Sequence, residues 1–178
     1  MKSNNSQYII NKAKKIKAIL TDIDGVLTDG KLYYQENQNG SVSISKTFCV
    51  KDGQLIKHVK QQGFILGAIT GRSDKVADIR IIEHLKFDFY KHGSKNKIKD
   101  YENFKSEFNL LDENIIYIGD DLIDLEVLKI VGLSICPKDS IEKIKQEVDY
   151  ISDFKGGEGV FREAIDILLA SNSEEIIF

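Results

Sequence analysis

The sequence predicts an α/β protein in which a parallel sheet carries helices on both faces. Short apolar runs alternate with segments of helical period, giving a βαβαβ order. Several of the runs are apolar at successive positions, as in 64–70 and 115–118, which suits strands covered on both sides. A length of 178 residues, 42% of them hydrophobic and only one a proline, predicts a single domain over 1–178 without long coil linkers.

Taken in order, residues 1–15 read as a lead-in, and candidate strands follow at 18–21, 64–70, 87–90, 115–118, 133–135 and 150–151. Apolar stripes between them mark helices. These are Leu55, Ile56 and Val59; Val76, Ile79 and Ile82; Ile98, Tyr101, Phe104 and Phe108; Leu122, Leu125 and Leu128; and Val160, Phe161, Ala164, Ile165 and Leu168. Asp52 is placed to cap the first helix and Gly63 to end it, while Asp139 or Ser140 is placed to cap the helix through Ile141 and Ile144. Residues 171–178 read as a tail, polar and then apolar.

Segment 31–48 breaks the βα rhythm. Asn39-Gly40, a type I′ turn signal between two strand-like arms, predicts a β-hairpin. Val42, Ile44 and Phe48 share one face of its second arm, and Ser41, Ser43, Ser45 and Thr47 the other. A lone hairpin is marginal in water, so the apolar face is expected to meet another subunit.

Charge and cysteine content exclude several classes. With 25 basic and 28 acidic residues the net charge is −3, so no global positive field favours a nucleic-acid or anionic-membrane partner. No apolar run approaches the ~20 residues that cross a bilayer. Cys49 and Cys136 stand far apart without a Cys-x-x-Cys, which indicates neither a disulfide scaffold nor a zinc site and fits a reducing cytoplasm. His58, His84 and His92 lack mutual metal-ligand spacing, and His92 alone is placed to face a pocket. The glycine-rich stretch 153–159 lacks the Gly-x-Gly-x-x-Gly spacing of a dinucleotide site.

The chemistry gathers at strand ends. Asp22 and Asp24 point the same way from the first strand, and two anions so close call for a cation, magnesium first. Gly25 then lets the backbone turn away. The second strand ends in Thr70-Gly71-Arg72, where a hydroxyl and a backbone N–H suit a phosphate oxygen. The fourth runs into Gly119-Asp120-Asp121, with Asp124 one helical turn on; Asp120 can bind a metal directly and Asp124 can hold metal-bound water. Lys97 opens the helix after 87–90. Taken singly, these are an acid-rich turn, a strand terminus, acids favoured by a helix dipole and a solvated lysine. Together they fall just past the C-terminal ends of the strands, where open α/β sheets bind ligands.

In order, Asp22-x-Asp24-Gly25, Thr70, Lys97 and Gly119-Asp120-x-x-x-Asp124 resemble the four signature motifs of the haloacid dehalogenase superfamily of phosphotransferases. Asp24-Gly25-Val26-Leu27-Thr28-Asp29-Gly30, Lys51-Asp52-Gly53, Thr70-Gly71-Arg72 and Gly156-Gly157-Glu158-Gly159 further resemble its capless 3-deoxy-D-manno-octulosonate 8-phosphate phosphatases. The resemblance implies a three-layer Rossmann-like core, a hairpin in place of a cap domain, and a homotetramer with its hairpins in a central barrel and its tails closing neighbouring sites. It implies Asp22 as nucleophile, Asp24 as general acid and then base, and Thr70, the Gly71 amide and Lys97 as binders of the phosphate oxygens. It also implies Mg2+, or another divalent metal, held by Asp22, the Asp24 carbonyl and Asp120, with Asp121 and Asp124 behind them. Arg72, one of three arginines, can take a sugar-acid carboxylate through two parallel hydrogen bonds.

Cys49 replaces the family's usual Asn, Lys51 its Arg, and His92-Gly93 the frequent Gln-Gly. A nonulosonate 9-phosphate is therefore the alternative substrate, with Arg72 tilting the choice to the octulosonate. A phosphoacceptor receiver domain would carry an acid at the end of a middle strand, where this chain has Phe89-Tyr90. A non-catalytic module of the same fold would lack Asp22, Asp24 or Lys97, and all are present.

Overall fold

The computed structural model describes residues 6–172. In chain order it contains α1 (Ser6–Ala13), β1 (Ala18–Thr21), β2 (Tyr33–Glu36), β3 (Val42–Ser45), α2 (Ile56–Gln61), β4 (Ile65–Ile69), α3 (Lys75–Asp78) and β5 (Phe89–Lys91). There follow α4 (Lys97–Glu107), β6 (Ile115–Ile118), α5 (Leu125–Leu128), β7 (Leu133–Cys136), α6 (Glu142–Glu147), β8 (Tyr150–Ile151) and α7 (Val160–Asn172).

Six strands form one parallel sheet in the order β5-β4-β1-β6-β7-β8. Its middle strands are buried throughout, and successive side chains enter opposite cores. Ile19 of β1 joins Leu66, Ile116 and Ile118 beneath α1, α2, α3 and α7; Ala18 and Leu20 join Ile69 and Tyr117 beneath α4, α5 and α6. Helix–sheet–helix layering follows from this two-sided burial. Thr21 lies opposite Ala68 of β4 and Ile118 of β6, so the strand ends preceding Asp22, Thr70 and Asp120 stand side by side.

Several local expectations are corrected. The stripe Val76, Ile79, Ile82 is not the buried one: Val76 and Ile82 are exposed, and Ala77, Ile81 and Leu85 face the core. The chain passes at Ile79 into a π-helix, Ile79–Leu85, whose wider turn selects a spacing of four. Leu122 is likewise exposed, in a 3-10 turn, Leu122–Asp124, that precedes the short α5. Asp52 does not cap the helix that follows it, and Asp139 and Ser140 do not cap α6, whose N-cap is Ile141 without a side-chain bond. Asp52 accepts instead from Arg162 N–H in the first turn of α7 (2.9 Å), and Asp139 from Gly156 N–H (3.0 Å). The lead-in carries α1, whose Ile9 and Ala13 pack in the same core as α7. At the other end α7 continues through Asn172, and the rest of the expected tail lies outside the described residues.

The hairpin between β1 and β4 is β2–β3, paired antiparallel. Its turn is not type I′, since Gly40 has φ +76 while Asn39 is not left-handed. Gly40 N–H donates to Asn37 O (2.9 Å) inside a wider loop closed by Asn37 N–H to Ser41 O (2.8 Å). Tyr34, Ile44 and Val42 share an exposed face, whereas Phe48 leaves it to bridge Thr28 and pack against the core.

Candidate active site

Asp22 leaves the end of β1 held on both sides. Its N–H donates to Ile118 O on β6 (2.8 Å), and its Oδ1 accepts the Ile23 N–H (2.7 Å). Its other oxygen, Oδ2, lies 2.8 Å from Lys97 Nζ. Lys97 opens α4, where the Asn96 side chain caps the helix by accepting from Lys99 N–H, and its ammonium is buried between Asp22 and Asp124.

Asp124 is fully buried, and its oxygens are already engaged. Oδ1 accepts from Lys97 Nζ (2.7 Å) and Tyr117 OH (2.6 Å); Oδ2 accepts the N–H groups of Asp120 (3.2 Å) and Asp121 (3.4 Å). It therefore orients Lys97 and the loop after β6. Asp121 is exposed and turns its carboxylate onto the Leu122 N–H. Asp120 approaches the β1 loop so closely that a Cβ at residue 25 would stand 2.1 Å from its Oδ2, and Gly25, at φ +89, removes that clash.

Carboxylate oxygens of Asp22, Asp120 and Asp124 lie within 4.8 Å of one another. Burial, then the charge of Asp124, pushes the Asp22 carboxyl up to about 7, and burial, then the charges of Asp22 and Asp124, pushes Asp120 up to about 8. Burial opposes the Lys97 charge, but Asp22 and Asp124 outweigh it and hold Lys97 above its ordinary value. One ammonium among three acids leaves an excess of negative charge. With Asp124 engaged, Asp22 and Asp120 present the available oxygens, a donor set that fits a hard divalent cation.

A second cluster adjoins the first. Asp24 Oδ1 lies 2.6 Å from Lys46 Nζ, which also lies 2.6 Å from Asp74 Oδ2. Asp24 Oδ2 is buried and accepts no hydrogen bond; Arg72 Nε stands 3.8 Å from it. The Arg72 side chain is half exposed, and its N–H donates to the buried Thr70 hydroxyl (3.3 Å), with Gly71 exposed between them. His92 lies at the edge, its Nδ1 2.8 Å from the Asp78 oxygen that accepts Tyr90 OH. The other arginines serve structure: Arg80 donates to Cys49 O (3.0 Å) and lies over the Phe48 ring, while Arg162 pairs with Asp166 (2.9 Å).

Sequence reasoning missed Lys46 and Asp74. Lys46 did leave a signal, because it occupies the same alternation as Val42, Ile44 and Phe48, a charge in an otherwise apolar row.

With this geometry in view, the haloacid dehalogenase-like hydrolase family matches residues 3–163. The chain belongs to this family. Among its haloacid dehalogenase-like relatives, the 3-deoxy-D-manno-octulosonate 8-phosphate phosphatase KdsC of Salmonella typhi is 32% identical over 169 residues, covering 95% of this chain and 87% of the relative. The 3-deoxy-D-manno-octulosonate 8-phosphate phosphatase of Moraxella catarrhalis, solved in complex with a magnesium ion, a phosphate ion and a KDO molecule, superposes with a TM-score of 0.85 at 33% identity, covering 93% of this chain and 92% of its own. The cobalt-bound form of the deoxy-D-mannose-octulosonate 8-phosphate phosphatase of Haemophilus influenzae gives a TM-score of 0.81 at 32% identity over 90% and 91% of the two chains. Among the described residues no helix is long and apolar enough to cross a membrane.

Proposed function

We propose that this hydrolase is a magnesium-dependent phosphatase that converts 3-deoxy-D-manno-octulosonate 8-phosphate to the free sugar acid and phosphate. The observation that carries the reading is the buried Asp22–Lys97–Asp124 contact with Asp120 alongside, on a chain whose relatives of that activity cover nearly its whole length.

Asp22, Asp120 and the Asp24 carbonyl would hold the metal, which supplies the positive charge that lets an anionic nucleophile meet an anionic ester. The Asp22 carboxylate attacks phosphorus, forming an aspartyl-phosphate as the bond from phosphorus to the sugar oxygen breaks. Asp24 gives its proton to that oxygen. As a carboxylate it then takes a proton from the water that attacks the aspartyl-phosphate, releasing phosphate and restoring Asp22. Lys97, Thr70 and the Gly71 amide steady the phosphoryl oxygens as charge shifts between them. Asp124 keeps Lys97 aimed at Asp22, and Asp121 secures the turn beneath Asp120. Arg72 donates to the substrate carboxylate.

The chain is read as a homotetramer of the cytoplasm. Exposed Tyr34, Val42 and Ile44 on one hairpin face support assembly, and the two free cysteines fit a reducing compartment.

Phosphate release from a panel containing the octulosonate 8-phosphate, a nonulosonate 9-phosphate and p-nitrophenyl phosphate, with and without Mg2+, tests the reading. The octulosonate is expected to give the highest kcat/KM, and only with metal. Preference for the nonulosonate would reassign the substrate, and no release from any ester would remove the phosphatase.

A further inference from the structure

We infer that Lys46 is a positioning residue for proton transfer by Asp24, delivered to the site by the hairpin of the same chain. The inference rests on the phosphatase reading and goes past it, since the hairpin was expected only to join subunits.

Lys46 is buried, although it follows β3 directly on an otherwise exposed ribbon. Its ammonium bridges two carboxylates from two different strand-end loops, Asp24 after β1 and Asp74 after β4, at 2.6 Å each. Asp74 is itself fixed, because its Oδ1 accepts from Ala77 N–H (2.9 Å) as the N-cap of α3. The Lys46–Asp74 pair is therefore a charge-matched unit anchored to a helix end, against which Asp24 rests.

The two oxygens of Asp24 are thereby made unequal. Oδ1 is tied by Lys46, with the Thr28 hydroxyl at 3.4 Å, whereas Oδ2 is buried without a hydrogen bond. A buried carboxylate oxygen that accepts no hydrogen bond, with only the Arg72 Nε nearby at 3.8 Å, is costly to a fold and points to a partner that arrives with the substrate. Oδ2 is thus the oxygen that hands its proton to the departing sugar oxygen and later accepts one from water. Holding Oδ1 fixes the Asp24 rotamer in which Oδ2 does so, and geometry of this kind weighs heavily in proton transfer. Enclosed by two carboxylates, Lys46 is not free to bind the substrate carboxylate, which leaves that task to the half-exposed Arg72.

Leaving-group dependence tests the inference, because an alkyl oxygen needs a proton to depart and p-nitrophenolate does not. Lys46→Met is expected to lower kcat on the sugar-acid phosphate ~10- to 100-fold more than on p-nitrophenyl phosphate, part of the ~10²–10⁴ that a general acid contributes. Asp24→Asn sets the limit of that discrimination, and Lys46→Met added to it should discriminate no further. Should Lys46→Met not fold, judged by its thermal melt, Asp74→Asn takes its place: Asn still caps α3, and the same preferential loss is expected at smaller size. Equal losses on both esters, or a Lys46 effect that persists undiminished beside Asp24→Asn, would overturn the inference. Wild-type enzyme inert toward both esters would instead sink the phosphatase reading.

Discussion

The carboxylate of Asp52 accepts the backbone N–H of Arg162 at 2.9 Å, so a buried acid in the loop behind the hairpin caps the last helix. The bond ties residues 110 positions apart, and the loop that leads out of the hairpin is thereby pinned to α7.

Burial, partly offset by the Arg162 N–H, pushes the Asp52 carboxyl up from 3.8 to about 6. A carboxyl raised on folding binds its proton more tightly in the folded state, so stability should fall as pH rises from about 4 to about 6 and level off above. Two pKa units correspond to roughly 3 kcal/mol as an upper bound. Asp52→Asn keeps an oxygen for the cap without the charge. Urea unfolding at pH 4.5 and 7 should show the wild type losing stability over that interval and the variant losing less.

Lys97 is the only cation against Asp22 and Asp124 among the described residues, and it is buried with them. Lys97→Ala should cut kcat by ~10²–10³, the scale of one lost transition-state donor. It also strands two buried carboxylates, so the melting temperature of the metal-free variant should fall. Adding Mg2+ should restore part of that temperature but not the turnover.

Chelation should abolish turnover, and Mg2+ or Co2+ should restore it. Because burial and neighbouring acids push Asp22 up to about 7 and Asp120 up to about 8, a cation must displace protons, and Mg2+ affinity should rise from pH 6 to pH 8. A thermal-shift titration reads this without substrate, since a ligand that binds only the folded state raises the melting temperature. Asp120→Asn should remove most of the shift.

Arg72 Nε stands 3.8 Å from Asp24 Oδ2 with its side chain half exposed, a loose pair that a ligand carboxylate can displace. Arg72→Ala should raise KM for the sugar-acid phosphate ~10-fold or more, the value of a charge-assisted pair, while p-nitrophenyl phosphate, which lacks a carboxylate, changes little. Equal changes on both would remove Arg72 from substrate selection.

What the sequence disclosed follows a physical line. Asp22 and Asp120 were legible because acids abut runs that are otherwise buried, and such contrast survives in one dimension, whereas Lys97, in a lysine-dense stretch, was legible only through its place among the other motifs. Lys46 and Asp74 were not assigned, since their partners belong to loops that meet only when β1 and β4 pair. Asp52 was matched to the helix beside it because local capping is the short-range option, whereas the fold offered the first turn of α7. The stripe after Asp74 was misassigned because the period of 3.6 fails where the helix widens to π at Ile79.

The hairpin supplies the last prediction. Ile44 lies opposite Tyr34 in the β2–β3 pair, and both are exposed together with Val42. An apolar ribbon face left to water disfavours the monomer, and burying the same face of a second copy would offset this. On the proposed homotetramer, Ile44→Lys should therefore give smaller species in sedimentation velocity without lowering the melting temperature of the isolated subunit, because residue 44 touches neither core. Lys46 is two positions away and on the same alternation, so loosening the assembly should also lower kcat on the alkyl ester more than on p-nitrophenyl phosphate. An unchanged sedimentation profile would show that this face is not where the subunits meet.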